Sequence, residues 1–218
     1  MLEKVLFNLL WIIVAYLIGS INFSIIFTKN NKNKKNIKEV GSGNAGATNA
    51  ARVYGFKFGL CIFILDASKS FWLGFILGLL QRNVEAFNVI IPQLCLIFVI
   101  IGHIFPLYFN FKGGKGASCL LGMIASISLF IAAIGTIIFL IIVLWTRYVS
   151  LGSILVVSAY LIQVIFFGQM GWIGLENAYL PEFYVVSACF TAMALWRHRA
   201  NIVRLLNGTE NKLGVKKN

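Results

Sequence analysis

The sequence predicts an all-α membrane protein, a polytopic helical bundle of about seven membrane helices that include one short hairpin. Two observations predict this fold class. Apolar residues make up 59% of the 218 residues and charged residues only 12%, whereas roughly 25% of the residues in soluble proteins are charged. The apolar residues also form long runs, and about 20 of them in succession can cross the hydrocarbon core as a helix. An ordinary soluble protein is excluded, and residues 1–218 are predicted to form a single membrane domain.

Each long apolar run is interpreted as a helix. The runs are Val5–Phe27, Phe58–Leu80, Ala86–Phe109, Ala117–Trp145, Leu151–Gly171 and Tyr179–Trp196. The first run continues past Gly19 and Ser20 without a clear cleavage site, so a retained helix is favoured over a signal peptide.

The run Ala117–Trp145 decides the topology, because it would be about 44 Å long as one straight helix. If it enters and returns, the basic segments Lys29–Lys38 and Arg197–Lys217 lie on one side with the other loop cations, while four glutamates lie on the opposite side. The positive-inside rule favours this return. Each leg would have only about 14 residues, so the run is either two short helices or a re-entrant hairpin. The N-terminus is then outside and the C-terminus cytoplasmic.

The net charge of +12 comes from 19 basic and 7 acidic residues. Because the basic residues lie between apolar runs, membrane topology explains them better than nucleic-acid binding. The segment Lys29–Lys38 is interpreted as an anchor near anionic headgroups. The cysteines lie in apolar stretches without the spacing of zinc ligands or of a disulfide framework, so no metal or cofactor is expected.

Asp66 and Lys69 stand three residues apart in an apolar run and share one face of a helix. A structural ion pair inside the bundle is favoured over direct substrate contact.

Three polar clusters are not explained by membrane anchoring. The first, GSGNAGATNAAR over Gly41–Arg52, has closely spaced glycines that let backbone N–H groups converge on an anion, and its arginine offers a bidentate fork. It lacks the lysine of a P-loop, and for the glycines alone a flexible turn is an equal alternative.

The second cluster, GHIFPLYFNFKGGKGAS, runs from Gly102 to Ser118. Its glycines again permit close backbone approach, and Lys112 and Lys115 place positive charge at the start of the following helix. His103 alone is more typical of a hydrogen-bonded packing residue than of a catalyst.

The third cluster, RHRANIVRLLNGTENK over Arg197–Lys212, follows the last apolar run. His198 and Asn201 share one face of a helix, although the bare pattern also fits an amphipathic helix on the membrane surface. Arg147–Ser150 forms a short turn predicted on the same side of the membrane.

Together these clusters resemble the bacterial acyl-phosphate:glycerol-3-phosphate acyltransferase family of integral-membrane enzymes. The family patterns GSGNxGxTNxxR, GHxFPxxxxFKGGKG and HRxNIxRLxxGxE are all met, in that order, and the resemblance covers nearly the whole chain. One departure is Cys119, preceded by Ser118, where the family usually has threonine.

The resemblance implies that the chain makes lysophosphatidic acid from glycerol 3-phosphate and acyl phosphate at the cytoplasmic face of the bacterial cell membrane. The catalytic residues that it implies are Ser42, Arg52, Lys112, His198 and Asn201. The substrate-binding residues are Gly41, Gly43, Asn44, Gly46, Thr48, Asn49, His103, Gly113, Gly114, Lys115, Gly116 and Ser150. Its partners are the two substrates and the lipid bilayer.

Acyl phosphate is already activated, so the protein mainly aligns the reactants and stabilises negative charge, and no acyl-enzyme intermediate is expected. The proton of the attacking hydroxyl goes either to His198 or to a substrate phosphate oxygen, and the sequence does not choose. A transporter of a phosphorylated solute is the alternative function, since basic glycine-rich loops also suit an anion path. A lipid-binding scaffold is the non-enzymatic alternative.

Overall fold

The computed structural model describes residues 2–29 and 33–214, and within these ranges it contains helices and no strands. Residues 30–32 of the predicted basic segment Lys29–Lys38 and residues 215–217 of the segment Arg197–Lys217 lie outside the described residues. The helices are α1 Leu2–Ser20, α2 Phe23–Lys29, α3 Ala47–Tyr54, α4 Phe56–Asn83, α5 Pro92–Ile104, α6 Ala117–Ile127, α7 Leu129–Thr146, α8 Val149–Gln169, α9 Leu180–Arg197 and α10 Arg199–Leu206. The predicted all-α fold class is confirmed.

Six helical segments of the described residues are long and apolar enough to cross a membrane. They are Leu2–Ser20, Phe56–Asn83, Pro92–Phe109, Leu129–Thr146, Val149–Gln169 and Asn177–Arg197, and α6 is a shorter apolar helix. Large apolar side chains such as Leu144 and Trp145 are exposed on these helices, as expected for side chains that face lipid.

The first helix is interrupted at residues 21–22, so the prediction of one continuous helix over Val5–Phe27 is wrong. The physical reason is Asn22, whose Oδ1 accepts hydrogen bonds from the backbone N–H of Ile25 at 3.1 Å and from Ser24 Oγ at 2.8 Å. An asparagine in this position caps a new helix, because its side chain replaces the partner that the first N–H groups lack. The chain therefore ends α1 at Ser20 and begins α2 at Phe23.

The run Ala117–Trp145 is broken at Ser128, which confirms that it is not one straight helix. The two parts have 11 and 18 residues, so the prediction of two equal legs is wrong. Ser128 has extended backbone angles, and its Oγ accepts from the N–H of Ile131, which makes it the N-cap of α7. An N-cap serine sets the boundary, which lies away from the midpoint of the run.

The described residues form two compact units, here called unit 1 (Met1–Ile127) and unit 2 (Ser128–Asn218). In unit 1, α1 packs against α5, and α4 packs against α3 and α6. Gly19 of α1 lies against the backbone of Val99, Gly102 of α5 against Tyr16, and Gly122 of α6 against Ala67, so a Cβ at each glycine would clash. Small residues permit this close approach of membrane helices.

In unit 2, α8 packs against α7 and α9. The buried Tyr160 of α8 contacts α9 twice: its hydroxyl lies 3.1 Å from Ser187 Oγ, and its ring meets Phe190 edge to face. The prediction of a single domain over residues 1–218 stays a prediction, since two compact units can belong to one domain.

Candidate active site

The first glycine loop (Gly41–Gly46) is shaped by the buried side chain of Asn49. Asn49 Nδ2 donates to the carbonyls of Ile37 at 3.2 Å and Val40 at 3.0 Å, and its Oδ1 accepts from the N–H of Ser42 at 2.9 Å. Gly41 has a φ of +61° and lies directly against Asn49 Oδ1, so a side chain at Gly41 would be strained and would clash. Asn49 therefore sets the conformation of the loop, and its predicted contact with substrate stays a prediction.

Ser42 and Arg52 lie at the rim of this loop and are exposed. Arg52 stands on α3, which begins directly after Gly46 and also carries Thr48. Ser42 and Arg52 are thus presented to solvent on a loop and a short helix whose geometry Asn49 fixes. Asn44 and Gly43, also predicted to bind substrate, lie within the same loop.

The second glycine loop (Gly113–Gly116) folds back over the end of α5. The N–H of Gly113 donates to Ile104 O at 3.1 Å, and the N–H of Gly114 donates to His103 O at 3.1 Å. Both glycines are buried, and a Cβ on Gly114 would meet His103 Nε2 and Ala45 O. Only a glycine backbone fits between the His103 ring and the first loop. Lys115 and Gly116 complete the turn into α6.

Unit 1 therefore brings the first two sequence clusters together. Besides the contact of Gly114 with Ala45 O, Lys38 Nζ donates to Phe109 O at 3.1 Å. Partial burial lowers the pKa of Lys38, and the nearby ammonium groups of Lys112 and Lys29 lower it further. Cations held this close repel one another, and a bound anion would relieve the repulsion. The electrostatics fit the predicted phosphate site.

His103 is buried, and its Nδ1 lies 3.1 Å from Lys69 Nζ and 3.5 Å from Asp66 Oδ1. Lys69 and Asp66 form the predicted ion pair, with Nζ and Oδ1 3.4 Å apart and both side chains buried. The interpretation of Asp66 and Lys69 as a structural pair agrees with this geometry, although sequence alone did not include His103 in it. The predicted contact of His103 with substrate stays a prediction.

Unit 2 holds the third cluster together with the turn at Arg147. His198 is buried at the junction where α9 ends and α10 begins, and Asn201 is buried one turn later. The N–H of Leu213 donates to Arg147 O at 2.7 Å, and Lys212 Nζ lies over the ring of Tyr148. Ser150, in the first turn of α8, has a buried Oγ with no hydrogen-bond partner among the described residues. The tail after α10 thus lies beside the turn that carries Ser150.

A buried carboxylate organises this cluster. Glu210 Oε2 accepts from Asn201 Nδ2 at 3.1 Å and from Arg204 Nε at 2.9 Å. The carboxylate is buried, whereas about a third of the Arg204 side chain is exposed. Glu210 orients the amide of Asn201, because an ionised carboxylate can only accept hydrogen bonds.

Comparison with known proteins identifies the family. A family model described as glycerol-3-phosphate acyltransferase matches residues 9–208. The chain belongs to the glycerol-3-phosphate acyltransferase family. The predicted resemblance is confirmed.

Members of the glycerol-3-phosphate acyltransferase family are similar to this chain over nearly its whole length. One from Mycoplasma mobile is 44% identical and one from Halalkalibacterium halodurans 39% identical, covering 96% and 95% of this chain and 94% and 97% of those proteins. The crystal structure of PlsY (YgiH), an integral membrane glycerol 3-phosphate acyltransferase in its glycerol 3-phosphate form, has a TM-score of 0.76 at 32% identity and covers 95% of this chain and 96% of PlsY. Its lysophosphatidic acid form has a TM-score of 0.74, with 95% of each chain covered. With six apolar helices, the chain is a multi-pass membrane protein.

Three residues that contact the predicted site clusters were not among the site residues predicted from the sequence. Asn22 donates from Nδ2 to Ala45 O at 3.2 Å, Lys38 reaches the second cluster, and Glu210 orients Asn201. An asparagine inside an apolar run was the available signal for Asn22. Glu210 belongs to the family pattern, but only the fold shows which residue it holds. No group of three or more His, Cys, Asp or Glu residues in the described chain could hold a metal ion.

Proposed function

We propose that this chain transfers a fatty acyl group from acyl phosphate to the primary hydroxyl of glycerol 3-phosphate, as the first acylation step of phospholipid biosynthesis. Family membership over residues 9–208 carries the proposal. The similar PlsY structures are described as glycerol 3-phosphate and lysophosphatidic acid forms. These molecules differ by one acyl group, as substrate and product of an acylation do.

In the proposed reaction, the C1 oxygen of glycerol 3-phosphate forms a bond to the acyl carbonyl carbon, and the bond from that carbon to the phosphate oxygen breaks. Inorganic phosphate leaves with the bonding electrons. The proton of the hydroxyl moves either to His198 or to a phosphate oxygen of a substrate. Because acyl phosphate is activated already, aligning the reactants supplies much of the acceleration.

The groups of unit 1 bind charge in this proposal. Arg52 offers a planar guanidinium for bidentate contact with phosphate, and the glycine loops let backbone N–H groups approach closely. Burial and then the nearby Lys112 ammonium lower the pKa of Lys38, and an anion bound at this place would offset the repulsion between the two cations. Ser42, exposed at the rim of the first loop, contributes a hydroxyl.

The groups of unit 2 serve the reacting hydroxyl. His198 is the protein group proposed as the alternative to substrate phosphate for accepting the proton, and Asn201, held by Glu210, contributes a fixed amide. Ser150 brings a hydroxyl whose buried Oγ has no hydrogen-bond partner in the part of the chain that the structure describes, which suits a hydroxyl that bonds a substrate oxygen. The proposed mechanism uses direct transfer, without a covalent acyl-enzyme, a metal or a cofactor.

We place these groups at the cytoplasmic face, with the N-terminus outside and the C-terminus inside, because the basic loops follow the positive-inside rule. Single cysteines introduced into a background in which the four native cysteines are replaced test this placement. A membrane-impermeant reagent applied to intact cells should label positions 173–179 and leave positions 33–38 and 207–214 unlabelled. Labelling of positions 33–38 from outside would contradict the topology.

Purified protein in detergent tests the reaction itself. Phosphate should be released from acyl phosphate only when glycerol 3-phosphate is present, with one lysophosphatidic acid formed per phosphate. Glycerol in place of glycerol 3-phosphate controls for recognition of the phosphate, and acyl-coenzyme A in place of acyl phosphate identifies the donor. Uptake of glycerol 3-phosphate into proteoliposomes without acylation would instead support the transporter.

A further inference from the structure

The interruption of α1 exposes carbonyl groups inside the membrane domain. The last carbonyls of a helix have no intrahelical partner, and lipid offers none. Lys69 Nζ supplies the missing donors: it donates to Gly19 O at 2.9 Å and to Ile21 O at 2.7 Å. A cation at this end of α1 also complements the negative end of the helix dipole.

The same interruption supports the first glycine loop. Directly after Ile21, Asn22 Nδ2 donates to Ala45 O at 3.2 Å, in the middle of that loop. Asn22 is fully buried, and its Oδ1 is fixed by the start of α2. The position of Ala45 therefore depends on the backbone that Lys69 holds.

The second glycine loop also depends on Lys69. An ammonium has donors only, so His103 Nδ1, 3.1 Å from Lys69 Nζ, accepts. The opposite edge of the ring, at Nε2, lies against the backbone of Gly114. Lys69 thus fixes the ring on which the second loop rests.

From these contacts we infer that Asp66, Lys69 and His103 form a positioning cluster that holds the two glycine loops in register for binding phosphate. The inference rests on the proposed function for what the loops bind, and it goes beyond it by assigning a role to three buried residues. Lys69 is a positioning residue because its donors are committed to Gly19, Ile21 and His103, and Asp66 balances its charge.

Lysine suits this place for a specific reason. Its ammonium directs donors to several acceptors around one point, whereas arginine presents a planar fork. An apolar residue would leave two carbonyls and a ring nitrogen buried without a donor, which is costly in an apolar interior. A direct contact of Lys69 with substrate would require giving up one of these bonds.

The test uses Lys69→Met and the double variant Asp66→Asn, Lys69→Met. The single variant leaves the Asp66 charge buried and unpaired, so it can fail to fold, whereas the double variant removes both charges and avoids this penalty. Gly74→Ala is the matched control, because it disturbs the packing of the same helix against Ser126 and Leu96 instead of the loops. Melting temperatures in detergent allow the variants to be compared at similar loss of stability.

Hydrogen exchange measures the loops directly and needs no activity. In the double variant the amides of Gly113 and Gly114 and of residues 42–46 should exchange at least about tenfold faster, the effect of losing one hydrogen bond to a charged group. In Gly74→Ala these amides should exchange as in the parent. Unchanged exchange in both loops of the folded double variant would overturn the inference, whatever the reaction.

Kinetics give the second readout. In a parent that acylates glycerol 3-phosphate, kcat/KM for that substrate should fall at least about tenfold in the double variant, again by the loss of a charge-assisted bond. The inference would also be overturned if kcat/KM fell no further in the double variant than in Gly74→Ala, with both variants at a similar melting temperature. Absence of activity in the parent would instead contradict the proposed function, while the exchange experiment would still decide the role of Lys69.

Discussion

The two units present their polar groups in opposite ways. In unit 1 the loops are built from backbone and glycine, shaped by the buried amides of Asn49 and Asn22, while Ser42 and Arg52 stand exposed at the rim. In unit 2 the predicted side chains of His198 and Asn201 are themselves buried. We propose that this difference reflects a difference in role, in which the groups of unit 1 bind charge and those of unit 2 serve the reacting hydroxyl.

This division has a physical basis. An exposed cation on a flexible side chain can adapt its position to an incoming phosphate. A buried side chain is fixed in one orientation by its neighbours, as Glu210 fixes Asn201, and fixed orientation is what transition-state stabilisation requires. Substitutions in unit 1 should therefore act mainly on KM, and those in unit 2 mainly on kcat.

The largest expected effect is that of His198→Ala. If His198 takes the proton, turnover at saturating substrates should fall by about 10²–10⁴ with little change in KM. Steady-state rates of phosphate release measure it.

Two further variants sharpen this result. Arg199→Gln is the neighbouring control, because Arg199 is exposed and donates to Trp196 O, so its loss should leave turnover close to that of the parent. If substrate phosphate takes the proton, His198→Gln should keep substantial turnover by preserving a hydrogen bond. Unchanged turnover in His198→Ala would exclude His198 as the base.

A smaller effect, of another kind, is expected at Arg52 in unit 1. Arg52→Lys keeps the charge but loses the fork, and Arg52→Ala loses both. The KM for glycerol 3-phosphate should rise in that order, for alanine by the equivalent of about 1.5–3 kcal/mol, which is one charge-assisted hydrogen bond.

Lys57→Ala is the control for Arg52, since Lys57 is an exposed cation in the next helix, α4. A specific contact with phosphate predicts that KM rises in Arg52→Ala and stays near the parent value in Lys57→Ala. An equal rise in both alanine variants would mean that only the general positive charge matters. A fall in kcat rather than a rise in KM in Arg52→Ala would break the division between the units.

The helices of this fold were predictable because hydropathy alone identifies segments that cross lipid. The positions at which the helices are interrupted were harder to predict. The break near Ser128 followed from the excess length of its run, whereas the break at Asn22 did not, because the run Val5–Phe27 has an ordinary length for a tilted helix. The break is set by one asparagine, Asn22, whose side chain caps the start of α2.

The candidate site was also only partly predictable from the sequence. The glycine and cation composition of the clusters predicted loops that suit an anion, and unit 1 indeed places Gly114 against Ala45. The composition did not separate residues that face a ligand from residues that build the loop. Asn49 and His103 both have the polar groups of a ligand contact, yet their described bonds go to protein partners. Only tertiary contacts between residues far apart in sequence make this distinction.

The smallest effect is expected at Cys119, where the family usually has threonine. Cys119 is fully buried in the first turn of α6, next to the second glycine loop. Threonine is similar in size, and its hydroxyl can bond to a backbone carbonyl three or four residues earlier. Cys119→Thr should therefore change kcat/KM by no more than about threefold, less than the effect of one hydrogen bond. Cys95→Thr, at a buried cysteine of α5, controls for the substitution itself.

Complete loss of activity in both Cys119→Thr and Cys119→Ser, with folding intact and Cys95→Thr active, would indicate a thiol nucleophile. The direct transfer of the acyl group between substrates would then have to be abandoned, and with it the assignment of chemistry to unit 2.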